Sequence, residues 1–149
     1  MNRFSISTIG RFIVLGLAMG GSPKVAADAT GMALTEADKL AVFKAAGAVQ
    51  RKGMWLMCAD EPNPGGAAIE TVRDLNGDGR PEAVVSEGGT FCYGHAGTGF
   101  QLLSQQADGS WRVMTGGSGM PEFLKTRGAC KWPDISIGGP DLPGDFRTS

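Results

Sequence analysis

The sequence predicts an α+β fold, with one N-terminal helix packed on a small, mostly antiparallel β-sheet. Three observations predict it. Helical spacing is confined to residues 34–49. Short β-prone runs separated by turn signals fill the remainder. Glycine accounts for 24 of 149 residues, far above its usual share of about 7%, which calls for many tight turns and few long elements.

The helix is expected over residues 34–49. Thr35 is a good N-cap, Asp38 three residues later completes a capping box, and Ala37, Leu40, Ala41 and Lys44 follow helical spacing. Leu40 and Phe43 are the expected buried stripe, with Gly47 near the end. Residues 54–57 form a short apolar run that reads as a strand, and residues 61–66, with two prolines, read as a loop. Strands are expected at 68–74 and 83–86, with a short one at 91–93. Strands at 100–105 and 111–115 flank Asp108-Gly109, the strongest hairpin signal in the chain. Residues 121–125 suggest a helical turn, Gly116 to Gly119 a turn, and 134–137 alternate like a half-buried strand.

Residues 1–27 have the form of a secretory signal peptide: Arg3 and Arg11, an apolar run from Phe12 to Met19, then small residues. The apolar run is much shorter than the roughly 20 residues that a membrane span needs, so no span is expected once the signal is removed. Cleavage after Ala27 or after Ala29 fits equally. Residues 28–139 are then one α+β domain, and 140–149, with Pro143, Gly144 and charges, a flexible or truncated tail. Loss of Arg3, Arg11 and Lys24 leaves 11 basic against 15 acidic residues, a formal charge of −4. That charge disfavours nucleic acid as a partner. The expected location is periplasmic or secreted, where disulfides are stable. Of the pairings possible among Cys58, Cys92 and Cys130, Cys92 with Cys130 is expected, because both lie in the glycine-rich β half. One thiol is left over in any case.

The most specific pattern is DLNGDGRPE, Asp74 to Glu82. Asp74, Asn76 and Asp78 occupy positions one, three and five of a tight turn. Arg80 offers a carbonyl at seven, and Glu82 a carboxylate at nine. A hard divalent cation takes six to eight oxygens at about 2.3–2.6 Å, and alternating oxygen donors around glycines supply such a set. The metal ligands expected are therefore Asp74, Asn76, Asp78, Arg80 and Glu82, and the ion calcium. An EF-hand is excluded because position twelve is Val85 rather than Glu. Without an ion, Asn-Gly and Asp-Gly also make a plain polar turn, with Arg73 and Arg80 partly neutralising the acids.

With a β-prone segment directly after it, this nine-residue pattern resembles the calcium loops of FG-GAP and VCBS-type repeats. The resemblance extends through Gly97-Thr98-Gly99-Phe100. It implies that Asp74, Asn76, Asp78 and Glu82 are side-chain ligands, Arg80 a carbonyl ligand, and the ion structural. Only one copy is present, too few for the propellers such repeats build. The runs GGTFCYGHAGTGF and WPDISIGGP resemble a family of small exported bacterial proteins of unknown function, whose members continue past the GGP.

Other chemistry is weaker. Cys92 and His95 suggest a thiol enzyme or envelope hydrolase, because imidazole promotes a thiolate. No linear spacing supports a carboxylate pair among Glu82, Glu87 and Glu122, and Glu87 is expected to cap a turn. Trp55, Trp111 and Trp132 suit core packing. The function expected is a calcium-braced binding module presenting loops at 88–99 and 116–120 to a protein or glycan partner.

Overall fold

In a computed structural model, residues 32–138 are described, so the proposed signal peptide and the tail at 140–149 lie outside the described residues. Helix α1, Glu36–Ala45, starts as its capping box dictates. The Thr35 hydroxyl accepts from the Asp38 N–H at 3.1 Å, and the Thr35 N–H donates to the Asp38 carboxylate at 3.3 Å. The helix stops short of Val49 because Gly47 turns the chain at φ +72°. Val49 then opens β1, Val49–Arg51, which pairs with β2, Met54–Leu56.

The main sheet contains β3 (Ala67–Arg73), β4 (Glu82–Gly88), β5 (Thr98–Gln105) and β6 (Trp111–Ser118), adjacent in that order and antiparallel throughout. Between β4 and β5 lies a one-turn helix, α2, Thr90–Tyr93. A second hairpin, β7 (Met120–Arg127) with β8 (Pro133–Gly138), follows. Gly119 makes the turn from β6 into β7 at φ +118°. A Cβ there would meet the Gly138 carbonyl and the Ile137 side chain at 2.7 Å each. Only glycine allows so close an approach.

Two apolar clusters hold the layers together. On one face of the sheet, Val42 of α1 and Ala46, its C-cap, pack with Ala83, Val85, Leu103 and Trp111. On the other, Val84, Phe100 and Leu102 pack with Leu75 and with Phe123, Trp132, Ile135 and Ile137 from the β7–β8 region. Covered on both sides, β4 is buried from Glu82 through Glu87 and lacks the alternation of a half-exposed strand.

The α+β expectation is therefore corrected: the described chain is predominantly β, with eight strands in three antiparallel sheets and a single helix of ten residues beside the one-turn α2. Two segments account for much of the difference. Residues 121–125 form part of β7 rather than a helical turn, because pairing with β8 places Phe123 in the second cluster. Gly116 to Ser118 extend β6 instead of turning. Conversely, residues 91–93 belong to α2 rather than to a strand. In α1 the buried stripe is also shifted: Val42 is fully buried, whereas Leu40 is 43% exposed. Phe43 stacks in parallel on Trp55, with ring centroids 5.2 Å apart.

Candidate functional site

The loop from Asp74 to Pro81 joins β3 to β4, and Gly77 and Gly79 give it its shape at φ +77° and +83°. The Asp74 carboxylate organises the turn. Its Oδ1 accepts from the N–H groups of Gly77 and Asp78 at 2.6 and 3.2 Å, and its Oδ2 from Gly79 at 2.9 Å. Asn76 Oδ1 accepts from the Asp78 N–H at 2.9 Å, and Asp78 Oδ1 from the Arg80 N–H at 2.8 Å. Each short side chain thus hydrogen-bonds its own backbone two to five residues on, as Asx turns do.

Glu82 forms the inner wall of the loop. It is 1% exposed, accepts from the Leu75 N–H at 2.6 Å and the Ser104 hydroxyl at 2.8 Å, and has the Asn76 amide at 3.4 Å. Burial pushes its carboxyl above the usual range, and the charges of Asp78 and Asp74 push the same way, while the Leu75 and Ser104 hydrogen bonds oppose them. Of the two arginines expected to neutralise the loop, only Arg80 faces it. Its guanidinium pairs with Asp78 and donates to the Gln105 carbonyl at 3.0 Å. Arg73 instead stands over the Phe123 ring, 5.2 Å from its centroid.

The five expected ligand residues therefore share one loop, but not one point. Among the described residues, no three His, Cys, Asp or Glu side chains form a ready metal-holding group. By donor chemistry the loop still suits a hard cation. Its ligand candidates are all oxygens, and a carboxylate oxygen that accepts one N–H keeps a second lone-pair direction. Asp74 Oδ2, Asn76 Oδ1, Asp78 Oδ1 and Glu82 Oε2 each accept one hydrogen bond.

A second constellation lies at the other end of β4. Cys58 and Cys92 form a disulfide, and Cys130 is free and exposed, which overturns the expected Cys92–Cys130 pairing. Cys130 is on the turn between β7 and β8, whereas α2 lays Cys92 against the segment after β2. Glu87, 1% exposed, ties Cys58 and the residue after Cys92 to the sheet: its Oε2 accepts from the Cys58 N–H at 2.7 Å and from the Tyr93 hydroxyl at 3.0 Å. Its role is thus a buried post rather than the turn cap expected. Burial, and then the hydrogen bond to Glu87, hold the Tyr93 hydroxyl well above the usual phenol range. Outside, the Glu61 carboxylate accepts from the Phe91 N–H at 3.1 Å.

In the disulfide, Cys92 presents no thiolate for the nucleophile role considered for Cys92 and His95, and His95 is exposed. Glu82 and Glu87 serve separate loops, and Glu122 is exposed on β7, so no carboxylate pair forms among the three. Trp111 is buried in the core, and Trp55 and Trp132 pack against Phe43 and the second cluster.

No protein-family model, curated protein or solved structure matches the chain. No helix of the described residues is long and apolar enough to cross a membrane. The disulfide, with Cys58 buried, suits an oxidising compartment, extracellular or periplasmic.

Proposed function

We propose that this chain is an exported binding module, periplasmic or secreted, whose 74–82 loop takes up one structural calcium ion through Asp74, Asn76, Asp78, Glu82 and the Arg80 carbonyl. The observation that carries the reading is electrostatic. Three carboxylates are gathered on one short loop, one of them buried, and Arg80 is the one cationic side chain paired with them among the described residues. Like charges held together favour binding of a cation. When bound, the ion supplies charge neutralisation and a cross-brace between β3 and β4. The protein's own groups supply the turn, the buried Glu82 wall and the Ser104 hydroxyl that orients it.

This function is binding rather than catalysis, with the loops at 88–99 and 116–120 facing a protein or glycan partner. The single loop copy, with eight short strands among the described residues, supports a brace rather than a propeller blade. The test is thermal melting of the chelator-treated protein with and without calcium. For an extracellular-type site with Kd of about 10⁻⁴ to 10⁻³ M, 10 mM calcium stabilises by roughly 1.4–2.7 kcal/mol. That corresponds to an upward shift of about 5–15 °C. Asp74→Asn keeps an acceptor for the turn but removes the charge, and is expected to abolish the shift. A wild-type protein indifferent to calcium contradicts the proposal.

A further inference from the structure

A cavity of about 470 Å³ opens on the face of the main sheet that carries α1, walled by Tyr93, Cys92 and Met57 on one side and by Val113, Gly116 and Ser118 on the other. We infer that this cavity is a binding site for a neutral saccharide ring. The inference rests on the binding-module reading but not on the calcium loop, which is at the opposite end of β4.

Three observations carry it. First, none of the side chains lining the cavity is charged. An ionic ligand finds no partner there, so the occupant is neutral. Second, the floor has an unmet need for hydrogen bonds: Gln101 lines the cavity while its amide oxygen is buried without a partner. The terminal torsion of a glutamine is broad and roughly two-fold. A hydroxyl-bearing ligand lets this amide turn into the cavity and pair both its donor and its acceptor, relieving an unsatisfied polar group. Ser118 adds a hydroxyl at the rim, and the Tyr93 oxygen, already donating to Glu87, is left as an acceptor.

Third, the shape suits a flat ring. Gly116 lies opposite Gln101, and Gly99 opposite Ser118, so each of these strand pairs carries one side chain instead of two. The Tyr93 ring packs directly over Gly99, where any Cβ would collide with it, and forms an aromatic wall. At Gly116 a Cβ would come within 2.8 Å of the Phe100 carbonyl, so the missing side chain there is built into the strand pairing. A sugar ring has C–H faces for the aromatic wall and a rim of hydroxyls for the amide. The volume falls within the 300–1,000 Å³ range of small-molecule sites. The Cys58–Cys92 disulfide and the Glu87 post hold the Tyr93 wall in place.

The experiment is saturation-transfer NMR, followed by titration, of the purified protein with glucose, galactose, mannose, N-acetylglucosamine, cellobiose and chitobiose, each with calcium and with chelator. At least one probe is expected to bind in the calcium-loaded protein. Gln101→Leu, which removes a buried unpartnered amide and keeps the melting temperature, is expected to weaken it at least tenfold. Ser118→Trp, at an exposed position, should block it without unfolding the chain. Absence of binding by every probe overturns the inference, as does binding that survives both variants. Sugar binding that persists while calcium leaves melting unchanged supports it and counts only against the calcium reading.

Discussion

Replacing Cys58 and Cys92 together by alanine tests the arrangement of the β half most sharply. The bridge joins residues 34 apart in sequence. Closing a loop of that length removes chain entropy from the unfolded state worth about 4 kcal/mol at 25 °C. A domain of this size is stable by only about 5–15 kcal/mol, so the loss is a large fraction of the whole. Cys130 is exposed and free, and Cys130→Ala is expected to stay within about 0.5 kcal/mol of the parent. Urea denaturation followed by tryptophan fluorescence reads both variants against the oxidised parent. Trp111 in the core and Trp55 stacked on Phe43 give signals sensitive to loss of packing. A loss of several kcal/mol in Cys130→Ala, with Cys58→Ala alone staying close to the parent, would instead restore the Cys92–Cys130 pairing.

Two further outcomes follow from packing and from titration. Leu103, fully buried among Val42, Val85 and Trp111, is expected to cost about 2–5 kcal/mol as alanine, whereas Leu40→Ala on the exposed side of α1 costs under about 1 kcal/mol; equal losses in denaturation would show that the helix face is misassigned. Tyr93 is the only tyrosine, so tyrosinate absorbance reports it alone. Its hydroxyl is raised in the folded state, so its contribution is complete below the ordinary phenol value of about pH 10 and is lost as pH rises through the higher folded value. Native protein should resist ionisation near pH 10, stability should fall on the alkaline side, and Tyr93→Phe should flatten that fall; a normal titration curve in the native state refutes the burial of this hydroxyl against Glu87.

Local signals were legible in the sequence wherever they were self-contained. Thr35 and Asp38 close the capping box on each other, and Asp108-Gly109 makes its turn between β5 and β6 with no help from distant residues. The loop at 74–82 was legible for the same reason, since its side chains bond their own backbone. What depended on partners far along the chain was not. Residues 121–125 become a strand only because β8 pairs with them and the sheet accepts Phe123. Leu40 and Val42 are equally apolar, and the position of the sheet decides which is buried. The partner of Cys92 is set by Glu87, which draws the Cys58 segment and Tyr93 to one carboxylate across 29 and 6 residues. A buried glutamate in the apolar run Ala83-Val84-Val85-Ser86-Glu87 was the available signal for that post, because burying a carboxylate requires compensating donors.

The acidic loop after β3 is proposed to bind one calcium ion. Isothermal titration of calcium into the chelator-treated protein measures this directly. One site per chain is expected, with a Kd of about 10⁻⁴ to 10⁻³ M, lost in Asp74→Asn and in Asp78→Asn. Absence of a saturable heat at millimolar calcium, or a heat unchanged in both variants, would contradict it.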